Sequence, residues 1–235
     1  MGTSGVDGTT DELFAGALAE VGADDDERAV PCLVALQNRP TLEVFERAAH
    51  LLSCEDPVER ELGAQVLREL GPCDAEGRRP FTTETIGVVL AAISDEPDPG
   101  VLGRMISALG YHSARQALDL VLGYQVHPAQ PVRFAVAAAL PDLADPEHTE
   151  QRVVEALLRL AGDDNDSVRW YALYALFNET AGVTDGQRRR WATHLIRQAD
   201  AQRREELSHI ATTLADDADT VLRDLLGQGT GTPTK

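Results

Sequence analysis

Few side chains in this sequence are spaced for chemistry, and the clearest pair is a histidine followed four residues later by a cysteine. His50 and Cys54 would share one face of a helix, where an imidazole and a thiolate can bind one metal ion. The simpler interpretation is a small apolar thiol packed beside a half-buried imidazole. No HExxH, GxSxG or Walker motif is present to position a nucleophile or a metal-bound water. We therefore predict no catalytic residue, no metal and no cofactor.

A second group of side chains is suited to binding another protein. The helix predicted from Val168 carries its core stripe on Val168, Ala172, Ala175 and Leu176. Its other side is also apolar, with Trp170, Leu173, Tyr174 and Phe177. A helix that is apolar all round is covered all round, either by its own chain or by a partner. Trp170 and Tyr174 therefore either pack beneath the helices that follow Gly182 or form an anchor for a partner.

Under the second interpretation, a partner protein or peptide contacts two related helices. Tryptophan, tyrosine and arginine are the side chains that usually contribute most to interface energy. The residues predicted to bind the partner are Arg133, Phe134, Arg169, Trp170, Tyr174 and Phe177.

Close to this group in the sequence lies the one basic island of an acidic chain. It comprises Arg188, Arg189, Arg190, Arg197, Arg203 and Arg204. The island is either a solvated helix face whose arginines pair with neighbouring acids, or a site for an acidic segment or a phosphate.

The helices that position these residues follow a repeated template. Residues 126–143 and 163–180 share it, with apolar residues four, seven and eight positions after a valine, which is one face of a helix. Two weaker copies precede them, and the intervals between the valines are 43, 31 and 36 residues, the range of helix-pair repeats. The template valines are Val58, Val101, Val132 and Val168. In this alignment the counterparts of Trp170 are Arg60, Gly103 and Phe134, which predicts a shallow groove with an aromatic wall at its C-terminal end.

Periodicity and capping signals predict helices along most of the chain. The predicted helices cover residues 9–22, 30–36, 41–54, 58–70, 83–93, 99–110, 114–125, 130–143, 149–161 and 166–179, and three more follow Gly182. The acidic run from Asp24 to Glu27 either complements the N-terminus of a helix or binds a cation. Residues 71–80 form the longest internal loop, which we interpret as a possible hinge between two halves. We predict one domain over residues 9–227, with regular repeats over 43–180 and atypical helical caps, between a disordered lead-in (1–8) and a disordered tail (228–235).

Composition favours an all-α protein and limits its partners. Only 5% of the 235 residues are aromatic, while alanine and leucine are abundant. The net charge of −18 repels phosphate backbones, so we expect no nucleic acid. The surplus of Asp and Glu either keeps an extended surface soluble or favours basic protein partners. The three cysteines form no CxxC pair, and the longest apolar runs are too short to span a bilayer. We therefore expect a cytoplasmic protein that does not bind membranes, with its oligomeric state left open.

The segments PVRFAVAAAL, SVRWYALYAL and DPVERELGAQVLRELG resemble the HEAT-repeat family, in particular its bacterial, armadillo-type members. The resemblance implies a right-handed α-solenoid of about six antiparallel helix pairs, whose second helices line a concave surface. It also implies a ladder of Asp and Arg residues between successive repeats. Arg133 and Arg169 match the ladder arginine, but Glu59 and Leu102 stand in its place in the earlier copies, and His127 replaces the aspartate. A continuous ladder is therefore not expected.

The function implied by this resemblance is a non-catalytic scaffold or adaptor that binds a protein or peptide on the concave face. The alternative is a HEAT-type enzyme or enzyme subunit. The deoxyhypusine hydroxylase type carries His-Glu pairs for iron, and no histidine of this chain is followed by glutamate. The DNA glycosylase type has a basic groove with tryptophans, and the charge of this chain has the wrong sign. The bilin lyase type offers no compact motif to compare.

Overall fold

The computed structural model describes residues 7–23 and 29–198. These residues contain eleven α-helices and no β-strand, so the predicted all-α class is confirmed. The helices are α1 (Thr10–Val21), α2 (Pro31–Gln37), α3 (Leu42–Leu51), α4 (Pro57–Arg68), α5 (Thr82–Ala92), α6 (Pro99–Tyr111), α7 (Leu118–Gly123), α8 (Gln130–Leu143), α9 (Gln151–Leu160), α10 (Asp166–Tyr174) and α11 (Asp185–Gln198). The handedness and the number of helix pairs remain predictions.

Two predicted helices are less regular than expected. Residues 114–125 form a 3₁₀ turn at Arg115–Ala117 followed by the short α7. The α10 helix ends at Tyr174 and continues as a π-helical turn, Ala175–Glu179. The side chains of Asn178 in this turn and of Thr180 directly after it donate hydrogen bonds to backbone carbonyls four residues earlier, at 2.9 and 2.8 Å. Such side-chain bonds compete with the regular helical pattern.

Several earlier predictions fall outside the described residues. They are the cation site at Asp24–Glu27, most of the lead-in, the tail 228–235 and the two amphipathic helices predicted beyond residue 198. Within the described residues, no helix has both the length and the apolar character needed to cross a membrane.

The helix starts follow the local capping chemistry of the sequence. Thr9 and Glu12 form the predicted capping box at the start of α1. The α4 and α6 helices both begin with an Asp-Pro pair, in which the Asp56 or Asp98 carboxylate accepts first-turn N–H groups and proline occupies the first helical position. Asn165 caps α10 in the same way.

The chain divides into two compact units, Met1–Val121 and Leu122–Lys235. In the first unit α3 packs on α4, α4 on α6, and α5 on α6. Gly63 permits the close approach of α3 and α4, because a Cβ atom there would lie 2.6 Å from the Ala48 carbonyl oxygen. The largest side chains buried between these helices are Leu62, Leu67, Met105, Ile106 and Leu109.

The loop 71–80 lies inside the first unit, so the hinge interpretation is wrong. Its conformation is defined by hydrogen bonds at both ends. The Gly71 N–H donates to the Gln37 carbonyl at 2.7 Å, and the Asp74 carboxylate accepts the N–H groups of Glu76 and Arg78 at 3.0 and 2.8 Å. Gly71 has a φ of +80°, and an added Cβ would meet Pro40 and Pro80.

In the second unit α8, α9 and α10 pack on one another. Small side chains on α8 and α10 allow their backbones to approach closely. The buried alanines of these two helices and of the π-helical turn are Ala135, Ala137, Ala139, Ala172 and Ala175. The α11 helix turns Trp191, Ala192 and Leu195 inward, and the Trp191 ring meets Phe177 edge to face at 6.4 Å.

Candidate functional site

The second helices of three helix pairs can be aligned with one another, because each carries an arginine at the fourth position after its N-cap. In α4, α8 and α10 this residue is Arg60, Arg133 and Arg169. Each Nη1 atom donates to the two carbonyls six and five residues before it, at distances between 2.7 and 2.9 Å. The three helices therefore begin with the same local structure.

This geometry corrects the predicted alignment of the first copy by one residue. Aligning Val58 with Val132 placed Glu59 at the arginine position, whereas the structure places Arg60 there. The counterpart of Trp170 in α4 is consequently Glu61, and that of Tyr174 is Gln65. The correct alignment was not evident in the sequence, because α4 has Gly63 at a core position where α6, α8 and α10 carry the side chains of Met105, Val136 and Ala172.

Two of these arginines also reach the loop of the following helix pair, and we call the resulting arrangement an arginine clasp. Arg60 donates to both carboxylate oxygens of Glu96 at 2.8 and 2.9 Å, and Arg133 to both of Asp163 at 2.6 and 2.9 Å. Each acid also accepts the N–H of the next N-cap residue, at 2.8 Å for Glu96 and 2.9 Å for Asp163. Bidentate pairing of this kind is the strongest form of arginine–carboxylate contact.

The clasp contacts favour the charged forms of Arg60, Arg133 and Asp163. The hydrogen bond to Glu96 raises the pKa of Arg60, and that to Asp163 raises the pKa of Arg133. Burial alone would raise the pKa of the Asp163 carboxyl, but hydrogen bonds from Arg133 and the Asn165 N–H outweigh it and the pKa is lowered. The predicted interruption of the ladder is present: Leu102 carries no charge, and His127 Nδ1 instead accepts the Ala129 N–H at 3.2 Å.

The candidate site is an aromatic face on α8 and α10, which we define as Phe134, Trp170, Tyr171 and Tyr174. Phe134 and Trp170 occupy the fifth position after their N-caps. The Trp170 ring stacks on Tyr174 at 5.5 Å with an interplanar angle of 8°. Tyr171 connects the two helices, because its ring meets Phe134 at 5.4 Å and Trp170 at 6.1 Å. All four side chains are half-buried.

The six predicted binding residues do not lie on one surface. Phe134, Trp170 and Tyr174 lie together on the aromatic face. Arg133 forms a clasp, and Arg169 is only 8% exposed, with bonds to the Asp163 and Asp164 carbonyls and to Asp166. Phe177 is 3% exposed and packs on Trp191. In the described part of the chain, α11 thus covers Phe177 while Trp170 and Tyr174 retain exposed surface.

Sequence reasoning missed Tyr171. Its counterpart in α8 is Ala135, a core residue that is 6% exposed, so the repeat predicts an inward position. The tyrosine ring is instead half-buried and lies against the neighbouring aromatic rings. Its spacing of three residues from Tyr174 was the signal that would have placed it on the same face.

Two carboxylates lie at the C-terminal ends of the same elements. Asp142 is in the last turn of α8, and Glu179 ends the π-helical turn after α10. Partial desolvation, together with the nearby Asp142 charge, raises the pKa of Glu179 to about 7. Desolvation also raises the pKa of Asp142. Both residues remain exposed, so a partner can reach them.

The corresponding positions in the first unit form a polar face, which we define as Glu61, Gln65, Arg104 and Ser107. Arg104 Nε and Gln65 Nε2 both donate to the Glu61 carboxylate, at 3.0 and 2.9 Å. Glu61, Gln65 and Arg104 therefore satisfy one another through hydrogen bonds.

The other features considered, which are the His50–Cys54 pair, metal-binding clusters and a pocket in the first unit, do not point to a functional site. Cys54 directs its thiol toward the His50 carbonyl oxygen at 4.0 Å, and burial followed by the nearby Glu59 raises its pKa. This thiol is therefore protonated at neutral pH. Within the described residues, no group of three or more His, Cys, Asp or Glu side chains is arranged to hold a metal ion. A pocket of about 490 Å³ beside the first clasp is lined mainly by apolar residues, together with the already paired Arg60 and Glu96 and with Ser53, Cys54 and Asp95.

The described residues form an all-α, helical-repeat protein whose units share one clasp geometry. Residues 86–177, from within α5 to Phe177, match the HEAT-repeat family, so this segment consists of HEAT repeats. It contains the second clasp and the whole aromatic face. HEAT repeats are generally protein-interaction scaffolds, and the family is typically non-catalytic. No curated protein matches the chain.

Proposed function

We propose that this protein is a non-catalytic scaffold that binds a segment of a partner protein on its aromatic face. The observation that carries the proposal is the stack of Trp170 on Tyr174, joined to Phe134 through Tyr171 on the neighbouring helix. Four half-buried aromatic side chains on two packed helices form a firm apolar platform. The first unit has charged and amide groups at the equivalent helix positions.

The platform is pre-organised for binding. Ring contacts between 5.4 and 6.1 Å hold the four side chains in place before a partner arrives. Less rotamer entropy is therefore lost when a partner covers them. Buried Trp and Tyr anchors are the residues that dominate interface energies. The partner segment in this proposal presents apolar or aromatic side chains to the face.

Charge favours a basic segment around those apolar anchors. The chain carries a net charge of −18, and Asp142 and Glu179 lie at the end of the elements that carry the platform. Such a field accelerates association with a cationic partner and repels nucleic acid, while the aromatic anchors determine how slowly the complex dissociates. The proposal places this scaffold in the cytoplasm, where its three free cysteines would remain reduced.

Site-specific crosslinking tests the position of the interface. A photo-crosslinking phenylalanine at Ala138 would lie on the exposed side of α8, next to the aromatic face. The matched control is Ser107, which occupies the same helix position in α6 and is also half-buried. We expect a discrete crosslinked partner from Ala138 and none from Ser107. Equal crosslinking from both positions would contradict the proposal.

The partner found in this way then permits a quantitative test. Ala138→Arg adds a large cation beside the platform without removing an aromatic contact, so we expect it to weaken binding at least tenfold. Calorimetric titration of the purified partner measures the change, and a thermal melt confirms that the variant is folded. A folded Ala138→Arg variant with normal affinity would show that the interface lies elsewhere.

A further inference from the structure

Four of the six arginines of the predicted basic island lie on α11, whereas Arg203 and Arg204 lie outside the described residues. We call the exposed side of α11 the basic stripe, formed by Arg189, Arg190, His194 and Arg197. The opposite side of the helix is buried through Trp191, Ala192 and Leu195. The stripe residues and Thr193 line one open pocket of about 490 Å³. Three of the five lining residues are therefore arginines, and none is acidic.

The stripe differs from three arginines of the first unit in its lack of acidic partners. Arg47, Arg78 and Arg104 also have solvent-accessible side chains, and each forms an ion pair, with Asp11, Asp74 and Glu61 respectively. Among the described residues, no acidic side chain pairs with Arg189, Arg190 or Arg197. In a chain with 39 acidic and 21 basic residues, neighbouring acids are abundant. Within the described part of the chain, these three arginines therefore form a locally positive surface.

The acidity of the whole chain does not cancel this surface. Fields between exposed charges are screened beyond about 8 Å at physiological ionic strength, so the nearest charges determine what the stripe attracts. Eight helical residues separate Arg189 from Arg197, which corresponds to about 12 Å along the helix axis. An extended peptide covers the same distance with about four residues.

We propose that the basic stripe binds a short acidic segment of a partner protein, about four residues long and extended along α11. Guanidinium groups pair with carboxylates through paired N–H donors, and three of them suit a run of Asp or Glu. Nucleic acid fits less well, because a longer polyanion would continue past the stripe onto an acidic chain. This surface is independent of the aromatic face, since it lies on a different helix and attracts the opposite charge.

The test uses the full chain and a fluorescein-labelled peptide with four consecutive glutamates. Fluorescence anisotropy measures its affinity against a matched peptide with four glutamines. We expect saturable binding of the glutamate peptide that weakens as salt rises, and no binding of the glutamine peptide. Arg189→Gln, Arg190→Gln and Arg197→Gln together should weaken binding at least about tenfold, because several modest charge contacts are lost at once.

The control removes the same number of charges elsewhere. Arg47→Gln, Arg78→Gln and Arg104→Gln together change the net charge equally but leave α11 untouched, so peptide affinity should stay within about twofold. Equal losses in both triple variants would overturn the proposal, as would failure of the peptide to bind. A labelled single-stranded oligonucleotide that bound more tightly than the peptide would overturn the choice of occupant. If the first triple variant melts abnormally, the single charge reversal Arg197→Glu decides by the same readout.

Discussion

The second helices of the two units share their register and their clasp, yet the side chains on their exposed faces differ in chemistry. At the fifth and ninth positions after the N-cap, α4 carries Glu61 and Gln65, whereas α10 carries Trp170 and Tyr174. The first pair is satisfied by hydrogen bonds, while the second forms an aromatic stack. The core and clasp positions hold the repeat together, whereas the face positions are free to differ. Function should therefore be sought where the two units differ.

Removing the clasp acids should cause the largest loss of stability and should affect both units. Glu96→Ala and Asp163→Ala each leave an arginine without its carboxylate, and breaking a buried pair from one side costs about 3–5 kcal/mol. We expect Glu96→Ala to cost at least as much as Asp163→Ala, because its side chain is 2% exposed against 9%. Urea denaturation followed by circular dichroism measures both.

The tryptophans make this test specific to one unit, since Trp170 and Trp191 both lie in the second. Asp163→Ala should shift the fluorescence transition together with the dichroism transition. Asp11→Ala serves as a control, because its side chain is 88% exposed and surface pairs contribute little. Clasp variants as stable as this control would show that the clasps contribute little to stability.

Exchanging the faces should separate binding from folding. Trp170→Glu with Tyr174→Gln gives α10 the two face residues of α4, and we expect partner affinity to fall by roughly 2–4 kcal/mol, as for hot-spot truncation. Calorimetric titration measures the affinity, and dichroism reports on the fold. If the exchanged variant unfolds, the aromatic residues belong to the core. If it folds and binds normally, the two faces do not differ in function.

Adjacent alanines on α8 test the boundary between core and face. Ala139 is 2% exposed, whereas Ala138 is half-buried beside the aromatic face. Ala139→Leu should overpack the second unit and cost roughly 1–3 kcal/mol, while Ala138→Leu should be nearly neutral for stability. Thermal melts of both variants provide the comparison, and the reverse order of their melting temperatures would refute the register of α8.

In the first unit, acid should weaken the fold through His112. Burial lowers its pKa below the ordinary 6.5, and the ring bridges Thr82 Oγ1 and the Leu67 carbonyl, at 2.9 Å each. The contribution of neutral His112 to the free energy of unfolding is complete above pH 6.5. It is lost as the pH falls through the lowered pKa, because the unfolded chain binds the proton more readily. Between pH 7.5 and 5.5 the stability advantage of the wild type over His112→Gln should shrink. An advantage that does not change with pH would exclude this role.

In the second unit, Glu179 should make stability depend on pH in the opposite direction from His112, and this is the smallest effect that we expect. Its pKa is raised to about 7 from an ordinary 4.5, so the folded state binds the proton more tightly. Stability should fall slightly as pH rises from 4.5 to 7. Glu179→Gln should therefore melt slightly above the wild type at pH 8, and the two should converge near pH 4. A lower melting temperature for Glu179→Gln at pH 8 would contradict the raised pKa.

Most of the local structure follows from the sequence, because its causes are local. The Thr9 capping box, the Asp-Pro pairs at Asp56 and Asp98, and the apolar stripe after Val132 each act within a few residues. They predict the helices and, with the repeated template, the HEAT-like architecture. The aromatic character of the face was also readable, since Trp170 and Tyr174 are one helical turn apart.

What the sequence did not determine depends on residues far apart in the chain. Arg60 and Glu96 are separated by 36 positions, and Gly63 concealed the register that would have paired them. Phe177 was predicted to be part of the face, but Trp191 covers it, whereas Tyr171, which was not predicted, joins the face beside Phe134. The helical period determines which residues share one side of a helix. Only the packing of neighbouring helices decides which of those sides remain exposed to bind a partner.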